Sequence, residues 1–110
     1  MFMFDIETVG IESTSIILSA AITYFDFENK KSYREYVNDS CFVKFNMQEQ
    51  KDMGRLVNEE TMVWWGKQAD IPKQISLTPY ETDCSAVDGI NTLRKYIEAN
   101  GGANQIVWAR

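Results

Sequence analysis

Alternating apolar and polar positions predict strands in the first part of the chain. An apolar run at Phe2–Asp5 predicts the first strand, and Gly10–Thr14 has the composition of a turn. Ser15–Phe25 gives the strongest strand signal, because apolar or small side chains occupy both of its faces, as in a central strand covered on two sides. We expect one face to carry the even-numbered side chains, Ile16, Leu18, Ala20, Ile22 and Tyr24.

Two more strands are predicted further along the chain. After a polar turn at Asp26–Lys31, the pattern predicts a third strand over Ser32–Val37 and Cys41–Phe45, with a break at Asn38–Ser40. The apolar stretch Gln105–Ala109 predicts a last strand close to the end of the sequence.

The middle of the chain changes to helical signals. Asn46 is suited to capping a short helix that ends at Met53, with Gly54 in the left-handed closing position. Asn58 is suited to capping the next helix, since the Glu59 that follows it would face the positive end of the helix dipole.

That second helix is expected to bury a stripe of side chains. Met62, Trp65 and Ala69 follow helical spacing, and Pro72 is expected just beyond the end of the helix. The following stretch, Leu77–Thr82, is predicted to be a loop.

The clearest helix covers Ala86–Ala99. Either Asp83 or Ser85 can cap it, and Asn100–Gly102 ends it. Its apolar stripe consists of Val87, Ile90, Leu93 and Ile97.

This order of elements predicts an α/β fold in one domain spanning residues 1–110. The mixed sheet is expected to hold an antiparallel three-strand meander and then, after the helices, a strand parallel to one of the first three. Because no helix follows that last strand, we expect the chain to be the N-terminal portion of a longer domain.

The composition fits a globular domain and excludes several classes of protein. Hydrophobic residues make up 45% and charged residues 25%, which excludes a disordered tail, a collagen-like repeat and a low-complexity segment. Eleven basic and 16 acidic residues give a net charge of −5, so a nucleic-acid role requires a basic rim or bound cations. The chain contains no His, which excludes His-based triads, His zinc sites and His general bases within it.

Cysteine usage and hydropathy predict a cytoplasmic location, which would be the host cytoplasm if the source is a phage. Cys41 and Cys84 have no zinc-site spacing, and we expect two reduced, buried thiols. The longest apolar stretch, Ile16–Ile22, is far shorter than the ~20 residues that span a bilayer. The N-terminus carries no basic residue and therefore does not resemble a signal peptide.

The candidate chemistry lies at Asp5-Ile6-Glu7, where the first strand ends. Alternate residues of a strand share a face, so the two carboxylates are expected to project the same way, about 7 Å apart along the backbone. Carboxylates placed in this way repel each other unless a cation lies between them, and hard oxygen ligands favour Mg²⁺ or Mn²⁺ over Zn²⁺. The pair therefore predicts a metal site for phosphoryl transfer, although the same pattern also occurs as ordinary solvated surface.

Three stretches of the sequence resemble a known family. These are Phe4-Asp5-Ile6-Glu7-Thr8-Val9-Gly10, then Lys44-Phe45 with Gln50 and Gly54-Arg55, and then Thr61-Met62-Val63-Trp64-Trp65 with Gln68. Together with the closing Val107-Trp108-Ala109-Arg110, they resemble the DEDD superfamily of 3′→5′ exonucleases, which have the ribonuclease H-like fold. Within that superfamily, the resemblance is to the exonuclease A (DexA-like) group of bacteriophages and covers essentially the whole chain.

The resemblance implies a metal-dependent exonuclease that hydrolyses phosphodiester bonds at the 3′ ends of single-stranded nucleic acid. Asp5 and Glu7 would be the first two of four acidic ligands of a two-metal Mg²⁺ or Mn²⁺ site, and therefore catalytic. Thr8 and Val9 would contact the terminal nucleotide. In that family the other two Asp ligands and a His or Tyr general base follow later, so we expect these 110 residues to be inactive alone.

Two other classes of function stay open at this point. The chain can be a non-catalytic ribonuclease H-like module that binds nucleic acid or protein, or a small acidic regulatory protein in which Asp5 and Glu7 are incidental. Trp64 is a candidate for stacking on bases, whereas Trp65 is expected in the core. Apolar surface around Ile106 and Trp108 predicts self-association.

Overall fold

The computed structural model describes all of residues 1–110 and contains four strands and five helices. In chain order they are β1 (Phe2–Thr8), β2 (Ile17–Tyr24), α1 (Tyr33–Asp39), β3 (Cys41–Lys44), α2 (Met47–Asp52), α3 (Glu59–Gly66), α4 (Asp70–Leu77), α5 (Ala86–Ala99) and β4 (Val107–Ala109). The sheet order is β3-β2-β1-β4, with β1 antiparallel to β2, β2 antiparallel to β3, and β4 parallel to β1. The predicted α/β class with a mixed sheet is confirmed.

Helix α5 covers one face of this sheet. Leu93 of its apolar stripe packs against the cluster that contains Ala20 and Val43. A cavity of about 570 Å³ separates the stripe from Phe2 and Ile22 of the two central strands, and Val87 and Ile90 of the predicted stripe are more than half exposed. The backbone of α5 comes closest to the sheet at Gly89, which is buried against Phe45 and Val43. A side chain at that position would meet the Phe45 ring, so the glycine allows the close approach.

Strand β2 contains an irregularity that the sequence pattern did not predict. Glu7 pairs with Ser19 and Thr8 pairs with Ile17, so Leu18 has no partner in β1. An extra residue of this kind changes which face the flanking side chains occupy. Ile16 and Leu18 consequently pack with Val9 and Trp65 in one cluster, whereas Ala20 packs with Val43 and Phe45 in another that Ile17 joins. The expectation that all even-numbered side chains share one face is therefore wrong.

Helix α1 replaces part of the predicted third strand. Residues 33–39 are helical, and only Cys41–Lys44 forms a strand. The Ser32 side chain accepts a hydrogen bond from the Glu35 amide, and the Glu35 carboxylate accepts one from the Ser32 amide. This capping box satisfies two backbone donors and favours the helix over the strand.

The region after α3 also differs from its prediction. Helix α3 ends at Gly66, and Ala69 precedes a separate helix, α4, that the sequence pattern did not predict. Pro72 lies in the first turn of α4, where a missing backbone N–H leaves no hydrogen bond unmade. The predicted loop at Leu77–Thr82 follows it, except that Leu77 still belongs to the helix.

The predicted helix caps are confirmed. Asn46, Asn58 and Ser85 each accept a hydrogen bond from the backbone N–H three residues later, at 2.9, 2.9 and 3.2 Å. Gly54 adopts a left-handed φ of 88° after α2. None of the five helices is long and apolar enough to cross a membrane.

Candidate active site at the end of strand β1

Asp5 and Glu7 lie on the same face of β1, opposite small side chains of β2. Asp5 pairs with Ala21 and Glu7 with Ser19, and directly opposite residues of antiparallel strands share a face. Both acidic residues are half-buried. Because Ala21 and Ser19 are short, neither of these side chains reaches over the two carboxylates.

The pKa of Glu7 is shifted upward, and its one positively charged neighbour offsets this shift only in part. Partial burial raises the pKa of Glu7 above its usual value of 4.5, and the nearby charge of Asp5 raises it further. Arg110 opposes this shift and lowers the pKa of Glu7, since β4 runs parallel to β1 and the Arg110 amide donates to the Phe4 carbonyl at 3.2 Å. A divalent cation between the carboxylates would relieve the same repulsion.

The chain bends at Val9, directly after β1 ends at Thr8, and begins the turn that leads to β2. The Thr8 hydroxyl donates a hydrogen bond to the Gly10 carbonyl at 2.6 Å, which leaves its oxygen lone pairs free to accept. Gly10 is buried, and a Cβ there would lie 2.1 Å from the Ser15 hydroxyl oxygen. Val9 points into the core beside Trp65. The turn therefore has a defined shape next to the carboxylates.

Distant parts of the chain hold this turn through its backbone carbonyls. The Trp65 indole N–H donates to the Thr8 carbonyl at 2.9 Å, and the Asn58 amide donates to the Val9 carbonyl at 2.8 Å. The Arg55 guanidinium donates to the carbonyls of Ser13 and Ser15. The sequence offered no signal for this role of Arg55, because its partners are backbone atoms about 40 residues away.

A cleft of about 390 Å³ opens beside Val9, which is one of its lining residues. Met62, Leu77 and Tyr80 supply part of its mainly apolar lining, and neither Asp5 nor Glu7 contributes to it. At its edge the buried ion pair between Lys44 and Asp83, 2.8 Å long, holds the loop after α4, with the Tyr80 ring 5.1 Å from the Lys44 ammonium.

Comparison with known proteins identifies the family. Residues 1–110 match the family model described as the 3'-5' exoribonuclease Rv2179c-like domain. The chain belongs to this family. It is also 30% identical, over 101 residues, to a protein of Enterobacteria phage T4 named exodeoxyribonuclease. Those residues are 90% of this chain and 44% of the phage protein, so the chain spans less than half the length of that relative. No solved structure matches it significantly.

The two matches confirm the resemblance to DEDD-type exonucleases that the sequence motifs indicated. Within this exonuclease-family chain, Asp5 and Glu7 are joined by no third Asp, Glu, Cys or His at metal-binding distance. Carboxylate oxygens are the hard donors that Mg²⁺ and Mn²⁺ take, so the pair fits part of such a site.

The two adjacent tryptophans of α3 have different environments in this exonuclease-family domain. Trp65 is 4% exposed, which confirms its predicted core position. Trp64 is 52% exposed, and its ring packs edge-to-face on that of Trp65 with a centroid distance of 5.1 Å. The Trp65 indole, bonded to the Thr8 carbonyl, thus joins the tryptophan pair of α3 to the residue that follows Glu7.

Proposed function

We propose that this chain forms the N-terminal part of a ribonuclease H-like, metal-dependent 3′→5′ exonuclease domain that acts on single-stranded nucleic acid. The observation that carries the proposal is the pair Asp5 and Glu7 on one strand face, with no side chain of β2 covering it. Membership of an exonuclease family supports the same reaction class.

Asp5 and Glu7 would hold Mg²⁺ or Mn²⁺ in the proposed site. A pair of such ions supplies a hydroxide-like nucleophile near neutral pH and stabilises the charge of the leaving oxygen in phosphodiester hydrolysis. Bound ions would also supply the positive charge that a chain with a net charge of −5 lacks where the scissile phosphate lies.

Thr8 and Val9 would receive the 3′-terminal nucleotide. The Thr8 oxygen, which donates its own proton to Gly10, can accept a hydrogen bond from a terminal hydroxyl group. Val9 lines the apolar cleft together with Met62 and Tyr80, and that cleft suits the flat apolar surface of a sugar or base.

The remaining ligands and the general base would come from residues that follow this chain. The resemblance implies four acidic ligands and a His or Tyr base, of which this sequence matches the first two ligands. We therefore expect these 110 residues to be inactive by themselves. The family description names an exoribonuclease and the phage relative an exodeoxyribonuclease, so both RNA and DNA strands belong in the test.

The test uses the protein encoded by the full open reading frame. It is incubated with Mn²⁺ and 5′-labelled single strands of DNA and RNA, and products shortened from the 3′ end are resolved on a gel. Asp5→Asn and Glu7→Gln should each lower the rate by more than about a hundredfold, since each removes a charged metal ligand.

Glu28→Gln is the matched control, because Glu28 is an exposed acidic residue in the turn after β2, at the opposite end of β1. It should leave the rate unchanged. Activity within about tenfold of wild type in Asp5→Asn would overturn the proposal. Oligonucleotide binding without any hydrolysis in the wild-type protein would instead favour a non-catalytic binding module.

A further inference from the structure

A second, smaller cleft lies next to the proposed site, at the exposed face of Trp64. We refer to it as the Trp64 cleft. It has a volume of about 300 Å³ and is lined by Ile11, Asn58, Glu60, Thr61 and Trp64. Ile11 is 88% exposed, so this cleft joins two large apolar side chains that the fold does not bury.

The Trp64 ring is held in place before any ligand binds. It packs edge-to-face on Trp65, with an angle of 79° between the ring planes. Trp65 is itself buried and anchored by its hydrogen bond to the Thr8 carbonyl. A ring that is already immobilised loses little conformational entropy when another flat group stacks on it.

The same contacts connect the Trp64 cleft to the carboxylate pair. Thr8, whose carbonyl receives the Trp65 indole N–H, directly follows Glu7 in β1. Ile11 lies in the turn that follows β1. A single strand whose end reaches Glu7 therefore has the Trp64 face within reach of one of its bases.

The polar groups of the Trp64 cleft favour a base over a phosphate. No Lys or Arg lines it, and its single charged lining residue is Glu60. A carboxylate accepts hydrogen bonds from the exocyclic amino groups of cytosine and adenine, and it repels phosphate. Asn58 Oδ1 already accepts from the Thr61 backbone N–H and hydroxyl, at 2.9 and 3.2 Å, so Glu60 is the charged acceptor available to a ligand, beside the neutral Thr61 hydroxyl oxygen.

We propose that the Trp64 cleft is a nucleobase-binding subsite that stacks a base on Trp64 and prefers bases with an exocyclic amino group facing Glu60. Adenine and cytosine carry such a group, whereas uracil and thymine do not. The recognition involves the base alone, so ribose and deoxyribose strands should bind equally at this position. This subsite rests on the proposed function for its biological use, but its binding needs neither metal nor phosphate.

The test uses uncharged nucleosides as probes. The ¹⁵N-labelled chain is titrated with adenosine, cytidine and uridine in EDTA, and the three indole N–H signals are followed by NMR, with Trp64 assigned through Trp64→Phe. We expect the Trp64 signal to shift saturably with adenosine and cytidine and several-fold more weakly with uridine. The Trp108 signal, from an equally exposed indole on β4, serves as the internal control and should not move.

Variants separate stacking from base preference. Trp64→Ala should weaken binding of a short fluorescein-labelled deoxyadenosine strand by about 5- to 150-fold, the range expected for one lost base–aromatic stack. Glu60→Gln should preserve stacking but remove the preference for adenosine over uridine. Tyr33→Ala is the matched control, because Tyr33 is an exposed aromatic residue on α1, away from the end of β1.

The outcomes distinguish this subsite from the proposed function. Equal binding of the labelled strand by wild type and Trp64→Ala, or an unmoved Trp64 indole signal with adenosine, would overturn the subsite and leave the exonuclease proposal standing. A saturable Trp64 shift in a full-length protein that never hydrolyses a strand would support the subsite and overturn the exonuclease proposal. The titration uses the wild-type chain, so it does not depend on whether Trp64→Ala folds.

Discussion

Two small side chains, Ala21 and Ser19, leave Asp5 and Glu7 uncovered across the sheet. The shared face of the two carboxylates was predictable, because side chains alternate with period two along any strand. The influence of Arg110 on Glu7 was not, because it depends on the parallel pairing of β4 with β1. The hydrogen bonds from Arg55 to the Ser13 and Ser15 carbonyls were not predictable either, because every residue has a backbone carbonyl and the sequence does not show which one is bonded.

At the residue scale, Glu7 should make stability depend on pH. Its pKa is higher in the folded chain than its usual value of 4.5, so between these two values the folded state binds more protons than the unfolded state. Stability contributed by this group therefore falls as the pH rises through that window. Glu7→Gln should unfold at a higher temperature than wild type at pH 7, with the difference shrinking toward pH 4.

Calorimetric melting temperatures of both proteins, measured at steps between pH 4 and 7 without divalent ions, check this expectation. Adding Mn²⁺ at pH 7 should raise the melting temperature of wild type and not that of Glu7→Gln. A constant difference between the two proteins across the pH range would contradict the assigned shift.

Trp65 combines a packing role with a hydrogen bond, and two substitutions separate them. Trp65→Ala should lower the free energy of unfolding by roughly 3–5 kcal/mol, as for other large-to-small core changes. Trp65→Phe keeps much of the apolar volume but leaves the Thr8 carbonyl without its indole donor, at a cost of about 1–3 kcal/mol. Urea denaturation gives both values. Trp64→Phe, at the exposed neighbour, should stay within about 0.5 kcal/mol of wild type.

At the scale of single elements, the helices predicted from a capping side chain were confirmed, and the others were not predicted. The caps at Asn46, Asn58 and Ser85 were predictable because a capping side chain acts within three residues. Helix α1 was predicted as a strand because its aromatic and β-branched residues outweighed the Ser32 and Glu35 capping pair. Helix α4 has no capping side chain. Pro72 follows the helical spacing of α3 and so indicates that α3 has ended, but the same residue also fits the first turn of a new helix.

Helix α5 offers a sharp test of helix–sheet packing. A Cβ at Gly89 would lie 2.4 Å from a ring carbon of Phe45 and 2.8 Å from a methyl carbon of Val43. Gly89→Ala should therefore destabilise the domain by about 1–3 kcal/mol through overpacking, although alanine favours helices. Gly66→Ala is the matched control, because that helical glycine has open space around it, and its effect should be neutral or stabilising by up to about 1 kcal/mol. Urea midpoints for the two variants should move in opposite directions or differ clearly in size.

On the scale of the whole molecule, the class of fold followed from the order of strands and helices, whereas the strand neighbours came from three-dimensional pairing. β4 is an edge strand, and Ile106, Val107 and Trp108 are all more than half exposed. An exposed apolar edge is a template for association with another chain. We predict that the purified chain self-associates with rising concentration in light scattering and that Trp108→Lys shifts it toward the monomer mass. A monomer at every concentration in wild type would contradict this.

Leu18 of β2 has no pairing partner in β1, and we expect this to constrain the number of residues in β2 as strongly as their identity. Surface loops tolerate insertions and deletions, and we expect the same of the turn at Asp26–Lys31. A deletion at Leu18 would restore a regular ladder beside Glu7, with Ile17 still opposite Thr8, but it would remove a side chain that is 1% exposed. The cluster of Val9, Ile16 and Trp65 would then contain a cavity where the leucine was, whereas an added residue would turn the flanking side chains to the opposite sides of the sheet. Among sequences of this family, insertions and deletions should therefore be absent from the few residues that face Glu7 and Thr8, even where the side chains themselves vary.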